Sequence, residues 1–503
     1  MRKTWKKLLA LGLAATMVAG MTACGGKKAA ELDKLTILVD NTVVNTLNGQ
    51  AQFEAGLEEL MGIDIEIIQP DHSGYYDTVG QTFANPDTTQ WPDIVLLGST
   101  YYATYASQGL LADLTEIWEK SDLKASGVIA DEKTSTDYAI DGKIYGIAPA
   151  RGNGCMTYVK QSWLDKAGIT KVPTTYAEYT AMLDAFVALS PDGYAITSPG
   201  LVNNEAPYVN YLPEFFQSAY PDFYQKEDGT WVDGFSEQAM KDALGRLIDA
   251  YNNGWIDKEF ATNKTSTCRD KFYADKCGVF TYWAGTWAAT LSDKLIAAGL
   301  DSELVAMKPI DEVGQYIERY SPVWAITSAC ENPEQAFDLF FGTMLDGSKG
   351  QVLWTFGAED VHWSKKAEDV VVGSGDSTKT YTYGEGEFHF KANLETGDSQ
   401  YKKNHIDPVL SIAKFKDGED VSNAQMDPRA SAAADIFFSN CTIAPKIVSN
   451  DTMSKYQSAI MSLRIELVSQ VAAGTISIED AYARYNDEQG ANIQAILDSL
   501  NNK

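Results

Sequence analysis

Strand and helix patterns alternate through the first part of the chain. Short apolar runs typical of buried strands are separated by segments in which apolar residues recur every three or four positions, as in amphipathic helices. The three strand patterns and the two helix patterns between them lie at residues 35–39, 50–61, 63–67, 75–83 and 91–97. Because strands and helices that alternate at this spacing form parallel sheets, the sequence predicts an α/β fold.

Polar and aromatic side chains follow two of these strand patterns. Asn41 comes shortly after the first, and Ser99 and Tyr101 follow the third. In open parallel sheets, ligands bind beyond the carboxyl ends of the strands. We therefore expect these three side chains to contribute to a ligand site. Asn41 and Ser99 also suit the alternative role of capping helices.

The amino terminus has the pattern of an export signal. Four basic residues within positions 2–7 precede an apolar run at 8–21, which is too short to span a bilayer comfortably. Residues 21–26, with small residues before Cys24, resemble the lipobox of bacterial lipoproteins, although Met21 stands where Leu is usual. The resemblance implies that residues 1–23 are removed as a signal peptide and that Cys24 receives the lipid. An uncleaved anchor or a plain signal peptide is the alternative.

The remainder of the chain is predicted to stay outside the bilayer. Residues 24–34 are predicted to form a lipid-anchored tether, and no later segment is apolar enough for a transmembrane helix. We therefore expect an exported protein that is held by lipid alone at the outer face of the bacterial cytoplasmic membrane.

Composition limits the class of partner. The chain has 503 residues, enough for two or more domains, and 45% of them are hydrophobic, so a globular protein is expected. Acidic residues outnumber basic ones by 69 to 41, which gives a net charge of −28. Nucleic acid and anionic lipid surfaces should be repelled, and a neutral or cationic ligand is favoured. Solubility outside the cell is the alternative reason for the charge.

Motifs in order along the chain resemble one known family, the family 1 extracellular solute-binding proteins of carbohydrate ABC importers. They are the helix and Gly-hydrophobic-x-hydrophobic pattern at 53–65, Pro-Asp-Ile-Val at 92–95 with the segment 105–114, and the segments 141–147, 156–159, 163–168 and 172–178. The resemblance implies an α/β, two-lobed periplasmic-binding-protein-like fold. Each lobe would be a mixed sheet flanked by helices, and crossover hinge segments would join the two.

The same resemblance implies lobe boundaries. The N-terminal lobe is expected to comprise residues 35–147 and 323–403, and the C-terminal lobe residues 148–322 and 404–503.

A cluster of large aromatics follows a buried-strand pattern at 278–281. Tyr282, Trp283 and Trp287 surround a small-residue turn, and such rings suit either the face of a sugar or the interior of a core. In the family, a segment of this form carries a sugar-stacking aromatic, and Trp287 occupies the matching position. Trp283 is a second candidate ligand residue, and Tyr282 is expected to face inward.

Five further side chains complete the predicted ligand site. Arg151, just past the first crossover, suits a bidentate grip on a ligand, and Tyr208 is placed in the second lobe. Arg319 and Trp324 lie in a segment that resembles the return crossover. Trp363 ends a segment that resembles the Gly-x-Glu-Gly-x-x-aromatic motif of larger members, with Asp360 in place of the second Gly. A place in the core for Trp324 and a carboxylate partner for Arg319 are the alternatives.

Local signals predict where three helices begin. Thr175 and Glu178 form a capping-box pattern, Ser236 is a candidate N-cap, and Asn332 precedes a Pro at the first helical position.

The sequence carries no recognised catalytic or metal-binding motif. The four histidines are scattered, no Walker A loop or G-x-S-x-G elbow is present, and Gly152-Asn153-Gly154 is only a lone GxG. Glu385 and Glu387 could imitate a hydrolase acid pair, although a solvated edge on an acidic protein is the favoured explanation. After Cys24, five cysteines remain, and we expect them to be mostly free, buried thiols. No cofactor or metal is predicted.

Three functions are compatible with these patterns. The first is a monomeric, lipid-anchored receptor that captures an oligosaccharide by lobe closure and delivers it to the permease of an ABC importer. The second is a surface glycosidase or esterase, which would need an acid or nucleophile pair that the sequence does not supply. The third is a sugar-sensing or adhesion lipoprotein without a role in transport.

Overall fold

The computed structural model describes residues 31–41, 49–71, 74–129, 138–199, 211–372, 379–391, 406–422, 427–445 and 450–501. The predictions for the signal peptide, for most of the tether including Cys24, and for Tyr208 lie outside these residues.

The described residues contain seventeen short strands. In chain order they are β1 (Lys34–Leu38), β2 (Asp64–Ile68), β3 (Ile94–Leu97), β4 (Gly146–Ile147), β5 (Cys155–Lys160), β6 (Ile196–Thr197), β7 (Phe223–Gln225), β8 (Trp231–Asp233), β9 (Val279–Trp283), β10 (Leu304–Ala306), β11 (Tyr316–Glu318), β12 (Val323–Ile326), β13 (Trp363–Ser364), β14 (Glu368–Val372), β15 (Lys379–Tyr383), β16 (His389–Phe390) and β17 (Cys441–Ile443).

Sixteen α-helices are present in the same part of the chain. They are α1 (Gln50–Met61), α2 (Tyr75–Ala84), α3 (Ser99–Ser107), α4 (Thr115–Lys120), α5 (Asp122–Ser126), α6 (Gln161–Ala167), α7 (Tyr176–Leu189), α8 (Pro213–Phe216), α9 (Gln238–Asn252), α10 (Thr265–Tyr273), α11 (Thr286–Ala297), α12 (Pro333–Met344), α13 (Lys349–Phe356), α14 (Pro428–Phe438), α15 (Asp451–Ala472) and α16 (Ile478–Asn501).

The first sheet contains the strands predicted from the alternating pattern. Its order is β2-β1-β3-β12-β4, in which β1 is parallel to both β2 and β3. Strand β12, which arrives from far along the chain, is antiparallel to β3 and to β4. The predicted parallel arrangement of the first three strands is therefore confirmed, and the returning strand makes the sheet mixed.

A second sheet has the order β10-β5-β9-β6. Strand β5 is antiparallel to both β9 and β10, whereas β6 is parallel to β9. All six residues of β5 are buried, which is expected of a strand covered on both faces.

Each sheet has its own hydrophobic core. The core of the first lobe, built around the first sheet, includes Phe53, Leu57 and Phe337, all fully buried. The core of the second lobe, built around the second sheet, includes Phe186, Leu244 and α15 residues such as Val468. Separate hydrophobic clusters around the two mixed sheets confirm the predicted two-lobed α/β fold.

Two crossovers connect the lobes. Residues 148–154 lead from β4 to β5, and residues 319–322 lead from β11 back to β12. The crossovers lie against each other, since the Arg319 amide donates to the Asn153 carbonyl at 2.9 Å. A Cβ on Gly152 would lie 1.6 Å from the Arg319 carbonyl oxygen, and one on Gly154 would lie 2.3 Å from that of Ile317. The lone GxG of the sequence is therefore a packing feature of the crossovers.

Residues 406–413 pack on the first lobe, although the predicted boundary assigned everything after 403 to the second. The amide of Ile406 donates to the Trp354 carbonyl and that of Ile412 to the Pro149 carbonyl. The side chains of Ile406 and Ile412 are buried in the first core, together with Leu353 and Trp354 of α13. The chain joins the second lobe later, at α14, where Phe437 is buried.

Two of the three predicted helix caps are confirmed. Thr175 and Glu178 form the complete capping box of α7, and the Asn332 side chain accepts from the Gln335 amide at the start of α12. The prediction for Ser236 is wrong. Its hydroxyl donates to Asp233, which caps a short 3₁₀ turn, and α9 begins two residues later at Gln238.

The described cysteines after the lipobox are free thiols, as predicted. Four are buried, and Cys441 is half-buried.

Candidate ligand-binding site

The directions of the strands place both crossovers at one edge of each sheet. In the first sheet, β1, β2 and β3 end at the edge where β12 begins, because β12 runs antiparallel to β3. In the second sheet, β5 begins at the edge where β9 ends, since Cys155 pairs with Trp283. The crossovers join these two edges, so the edges form the two sides of a candidate ligand site. This agrees with the rule that ligands bind beyond the carboxyl ends of parallel strands.

Asn41 and Ser99 lie on the first-lobe edge, as predicted. The Asn41 side-chain amide donates to Asp71 at 3.0 Å, which links the ends of β1 and β2. Ser99 is the first residue of α3, and no side chain caps that helix. Ser99 therefore does not have the capping role that was its alternative.

Tyr101 forms a stacked pair with Tyr76 on the same edge. Their ring centroids are 4.0 Å apart, the planes differ by 5°, and the side chain of Tyr101 is 39% exposed. The Tyr76 hydroxyl accepts from the Gly98 amide at 2.8 Å, which fixes this ring beside the start of α3. Burial raises the pKa of Tyr101, with a smaller contribution from Asp77. Tyr76 was not predicted, and its only sequence signal is that it lies in the first turn of a helix after the second strand.

Trp283 is the last residue of β9 and lies beside the return crossover. Tyr282 is 4% exposed and faces inward, as expected, whereas Trp283 is half-buried and packs at the side of the same hydrophobic cluster. The Arg319 guanidinium lies 4.5 Å from the centre of the Trp283 ring. Two predicted site residues that are distant in sequence are thus in contact.

Trp287 lies on α11, one turn further from the crossovers. Its ring meets that of Tyr282 edge to face at 4.6 Å, and the Arg269 guanidinium lies 5.5 Å from its centre. Trp287 is half-buried and packs against the core of the second lobe. Of the two tryptophans, Trp283 is the one in contact with a crossover residue.

Arg151 is engaged by a carboxylate of its own chain. Its Nε and Nη2 atoms donate to the two oxygens of Glu318, at 3.2 and 2.7 Å. The guanidinium also lies 4.2 Å from the centre of the Phe438 ring. The bidentate grip that was predicted for a ligand is made across the two crossovers instead.

Trp324 and Trp363 do not face the candidate site, contrary to expectation. Trp324 is 2% exposed and packs against Phe340 and Trp354, because β12 is a central strand of the first sheet. Trp363 is 4% exposed, stacks with Phe388, and donates its indole hydrogen to the Gly357 carbonyl. Both rings belong to hydrophobic cores.

Asp407 is a site residue that sequence patterns did not indicate. Its carboxylate accepts from the Thr286 hydroxyl at 3.0 Å and from the Val409 amide at 2.9 Å. Burial raises the pKa of Asp407, and the two hydrogen bonds oppose this change. Because residue 406 is fixed to the first lobe and Thr286 begins α11 of the second, this contact connects the lobes.

Other candidate chemistry lies elsewhere. Among the described residues, no group of three or more His, Cys, Asp or Glu side chains is arranged to hold a metal ion. Glu385 and Glu387 accept from the amides of Ala367 and Gly384 and so support the turn after β15.

Comparison with known proteins places the chain in a family. The model of the bacterial extracellular solute-binding protein family matches residues 51–351, which span both crossovers. The chain belongs to this family of extracellular solute-binding proteins. The match agrees with the resemblance that the sequence motifs indicated.

Two curated relatives come from Bacillus subtilis strain 168. Lipoprotein LipO is 26% identical over 297 residues, which are 56% of this chain and 56% of LipO. The polygalacturonan/rhamnogalacturonan-binding protein YtcQ is 25% identical over 146 residues, 28% of this chain and 29% of YtcQ. The matched region therefore spans about half of LipO and less than a third of YtcQ.

Solved structures share the fold over nearly the whole chain. The alginate-binding protein AlgQ2 and the N-glycan transport solute-binding protein NgtS of Streptococcus pneumoniae each have a TM-score of 0.63, at 17% and 16% identity. Each comparison covers 93% of this chain and 98% of the other. The sugar-binding protein MalE of Xanthomonas citri has a TM-score of 0.58 at 14% identity.

Proposed function

We propose that the mature protein is a lipid-anchored receptor that binds an oligosaccharide between its two lobes and delivers it to the permease of a carbohydrate ABC importer. The observation that carries this proposal is the pair of aromatic surfaces on the facing sheet edges. The Tyr76–Tyr101 stack lies on the first-lobe edge, and Trp283 lies on the second-lobe edge beside Arg319. Flat rings bind the apolar faces of sugar rings, and neighbouring polar groups satisfy hydroxyls.

The names of related proteins support a carbohydrate ligand. YtcQ binds polygalacturonan and rhamnogalacturonan, AlgQ2 binds alginate, and NgtS takes part in N-glycan transport. These ligands are all oligomeric or polymeric sugars.

Lobe closure is the proposed mechanism of capture. A ligand that contacts the tyrosine pair and Trp283 at once binds more tightly when the edges approach, so it stabilises the closed state. Bending at residues 148–154 and 319–322 would permit this motion. Polar groups near the site, such as Asn41 and Asp407, would then pair with hydroxyls that closure removes from water.

The lipobox at residues 21–26 supports anchoring through Cys24. No helix among the described residues is long and apolar enough to cross a bilayer. We propose that the receptor acts as a monomer at the outer face of the cytoplasmic membrane, where the lipid holds it beside its permease.

A thermal-shift screen tests the proposed function. Purified residues 25–503 would be heated with plant, starch and host oligosaccharides, and with peptides and polyamines as comparison ligands. A ligand that binds only the folded state raises the unfolding midpoint, so at least one oligosaccharide should do so. A midpoint that rises only with a peptide or polyamine would contradict the proposal. The appearance of new reducing ends during incubation would instead favour a glycosidase.

A further inference from the structure

The arginines beside the candidate site already have partners. Arg151 is held by both oxygens of Glu318, whose side chain is only 9% exposed. A ligand carboxylate that captured Arg151 would leave Glu318 buried without its counter-charge, which is costly.

Two other arginines beside the candidate site contact aromatic side chains. Arg319 lies over the Trp283 ring at 4.5 Å. Arg269 donates to the Tyr282 hydroxyl at 2.5 Å and lies 5.5 Å from the centre of the Trp287 ring. Both guanidinium groups therefore already take part in contacts with aromatic groups of the second lobe.

Carboxylates are among the described polar groups at the sheet edges, together with Asn41, Ser99 and Thr286. Asp40 and Asp71 follow β1 and β2 on the first-lobe edge, and Asp407 connects that lobe to the start of α11. Carboxylate oxygens accept hydrogen bonds, so they suit the hydroxyl donors of a sugar. They would repel a second carboxylate, and the net charge of −28 adds a long-range repulsion.

From this arrangement we infer that the receptor selects uncharged oligosaccharides and excludes uronates, whose rings carry a carboxylate. The inference rests on the proposed function, because it names the chemical class of sugar for the same site. It separates this chain from relatives whose names refer to alginate or polygalacturonan.

Matched ligand pairs test the inference. Isothermal titration calorimetry would compare galacturonate, mannuronate and glucuronate trimers with galactose, mannose and glucose trimers of the same linkage, alongside a wider panel of neutral and acidic glycans. In any pair that binds, the neutral trimer should bind about 100-fold more tightly, since opposing like charges costs several kcal/mol.

The outcomes are distinct. Tighter binding of a uronate trimer, or selection of an acidic glycan from the panel, would overturn the inference while leaving sugar binding intact. Binding of a neutral glycan from the panel, with no acidic glycan bound, would support it. If no glycan binds at all, the proposed function fails and the inference fails with it.

Glu318→Gln provides an independent test on the protein side. The substitution removes the charge that holds Arg151, so affinity for the uronate of the tightest-binding pair should rise about tenfold. Glu466→Gln is the matched control, because Glu466 pairs with Arg484 on α15 and α16 and should leave both affinities unchanged. An unchanged uronate affinity in folded Glu318→Gln protein would show that the engagement of Arg151 does not exclude uronates.

Discussion

Adjacent residues at the end of β9 differ in their burial and in their contacts. Tyr282 is enclosed by Tyr211, Phe280 and Trp287, whereas Trp283 contacts the guanidinium of a crossover residue. The side chain next to the crossovers is the better candidate for stacking on a sugar ring.

Removal of the Trp283 ring should weaken ligand binding without unfolding the protein. We expect Trp283→Ala to lower affinity for the best oligosaccharide about fivefold or more, because a stacked ring contributes about 1 kcal/mol or more. Calorimetry gives the affinity, and circular dichroism checks the fold. Trp231→Ala is the control, since this half-buried tryptophan on β8 lies beside the end of α16. Equal losses of affinity in both variants would contradict the assignment.

Glu214 is a buried acid away from the candidate site. It is 1% exposed, its Oε2 lies 3.4 Å from the Tyr179 hydroxyl, and its Oε1 has no hydrogen-bond partner among the described residues. Burial raises the pKa of Glu214 from 4.5 to about 7, against smaller opposing effects of hydrogen bonds. The folded state therefore retains this proton in a pH range where the unfolded chain has lost it.

The raised pKa of Glu214 predicts a pH-dependent stability. Below pH 4.5 Glu214 is neutral in both the folded and the unfolded state, so it does not make stability depend on pH there. As pH rises from 4.5 through 7, the unfolded chain loses this proton while the folded state keeps it, and the free energy of unfolding falls by about 3 kcal/mol in all. Glu214→Gln should therefore stabilise the protein at pH 8 and have little effect at pH 4.5, as measured by urea unfolding. The exposed Glu227→Gln serves as control. An equal effect of Glu214→Gln at both pH values would contradict the raised pKa.

At the scale of elements, the two crossovers can pack closely because glycines stand where their backbones meet. Gly152 faces the Arg319 carbonyl, and Gly154 faces that of Ile317. The Arg151–Glu318 ion pair then joins the same two segments from the side. The two crossovers are therefore a packed unit with defined contacts.

A methyl group on Gly152 should disturb this unit. We expect Gly152→Ala to lower the free energy of unfolding by about 3 kcal/mol, since backbone atoms must shift to admit the Cβ. Gly245→Ala is the matched control, because Gly245 lies within α9 with no atom near its Cβ position, and it should stabilise by about 0.4–1 kcal/mol. Urea unfolding measures both, and a small loss in Gly152→Ala would contradict the packing described.

At the scale of the whole molecule, two cores are joined by the crossovers and by residues 406–413. The latter segment extends the contacts between lobes, since the Arg151 amide donates to the Leu410 carbonyl at 2.7 Å and Asp407 accepts from Thr286. Any closing motion must therefore accommodate three chain segments.

The proposed anchor predicts a lipid-dependent location for the whole protein. Expressed in a bacterial host, the native chain should begin at Cys24 and carry a diacylglyceryl group, whereas Cys24→Ala should carry none. Intact-mass spectrometry reads the modification, and detergent phase partitioning reads its effect, because acyl chains favour the detergent phase. If the native protein carries no lipid and partitions in the same way as Cys24→Ala, the proposed anchor is excluded.

Much of the fold followed from local patterns. The first three strands and the capping box of α7 depend on residues close in sequence, so their signals were readable. Ser236 was misassigned because Asp233, three residues earlier, caps the preceding turn and moves the start of α9. The candidate site was less predictable, as Trp324 and Trp363 show. The identity of a large aromatic residue does not reveal whether the folded protein buries its ring or leaves it at a ligand site.

The sequence by itself determined the α/β class, the family, the export pattern and the acidic character, because these depend on short periodicities, local motifs and composition. Only the tertiary structure decided which side chains meet at the crossovers. Arg151 and Glu318 are 167 positions apart, and Arg319 reaches Trp283 only because β9 and β11 end beside the same hinge. Such contacts arise from the packing of whole elements, and no local pattern in the chain encodes them.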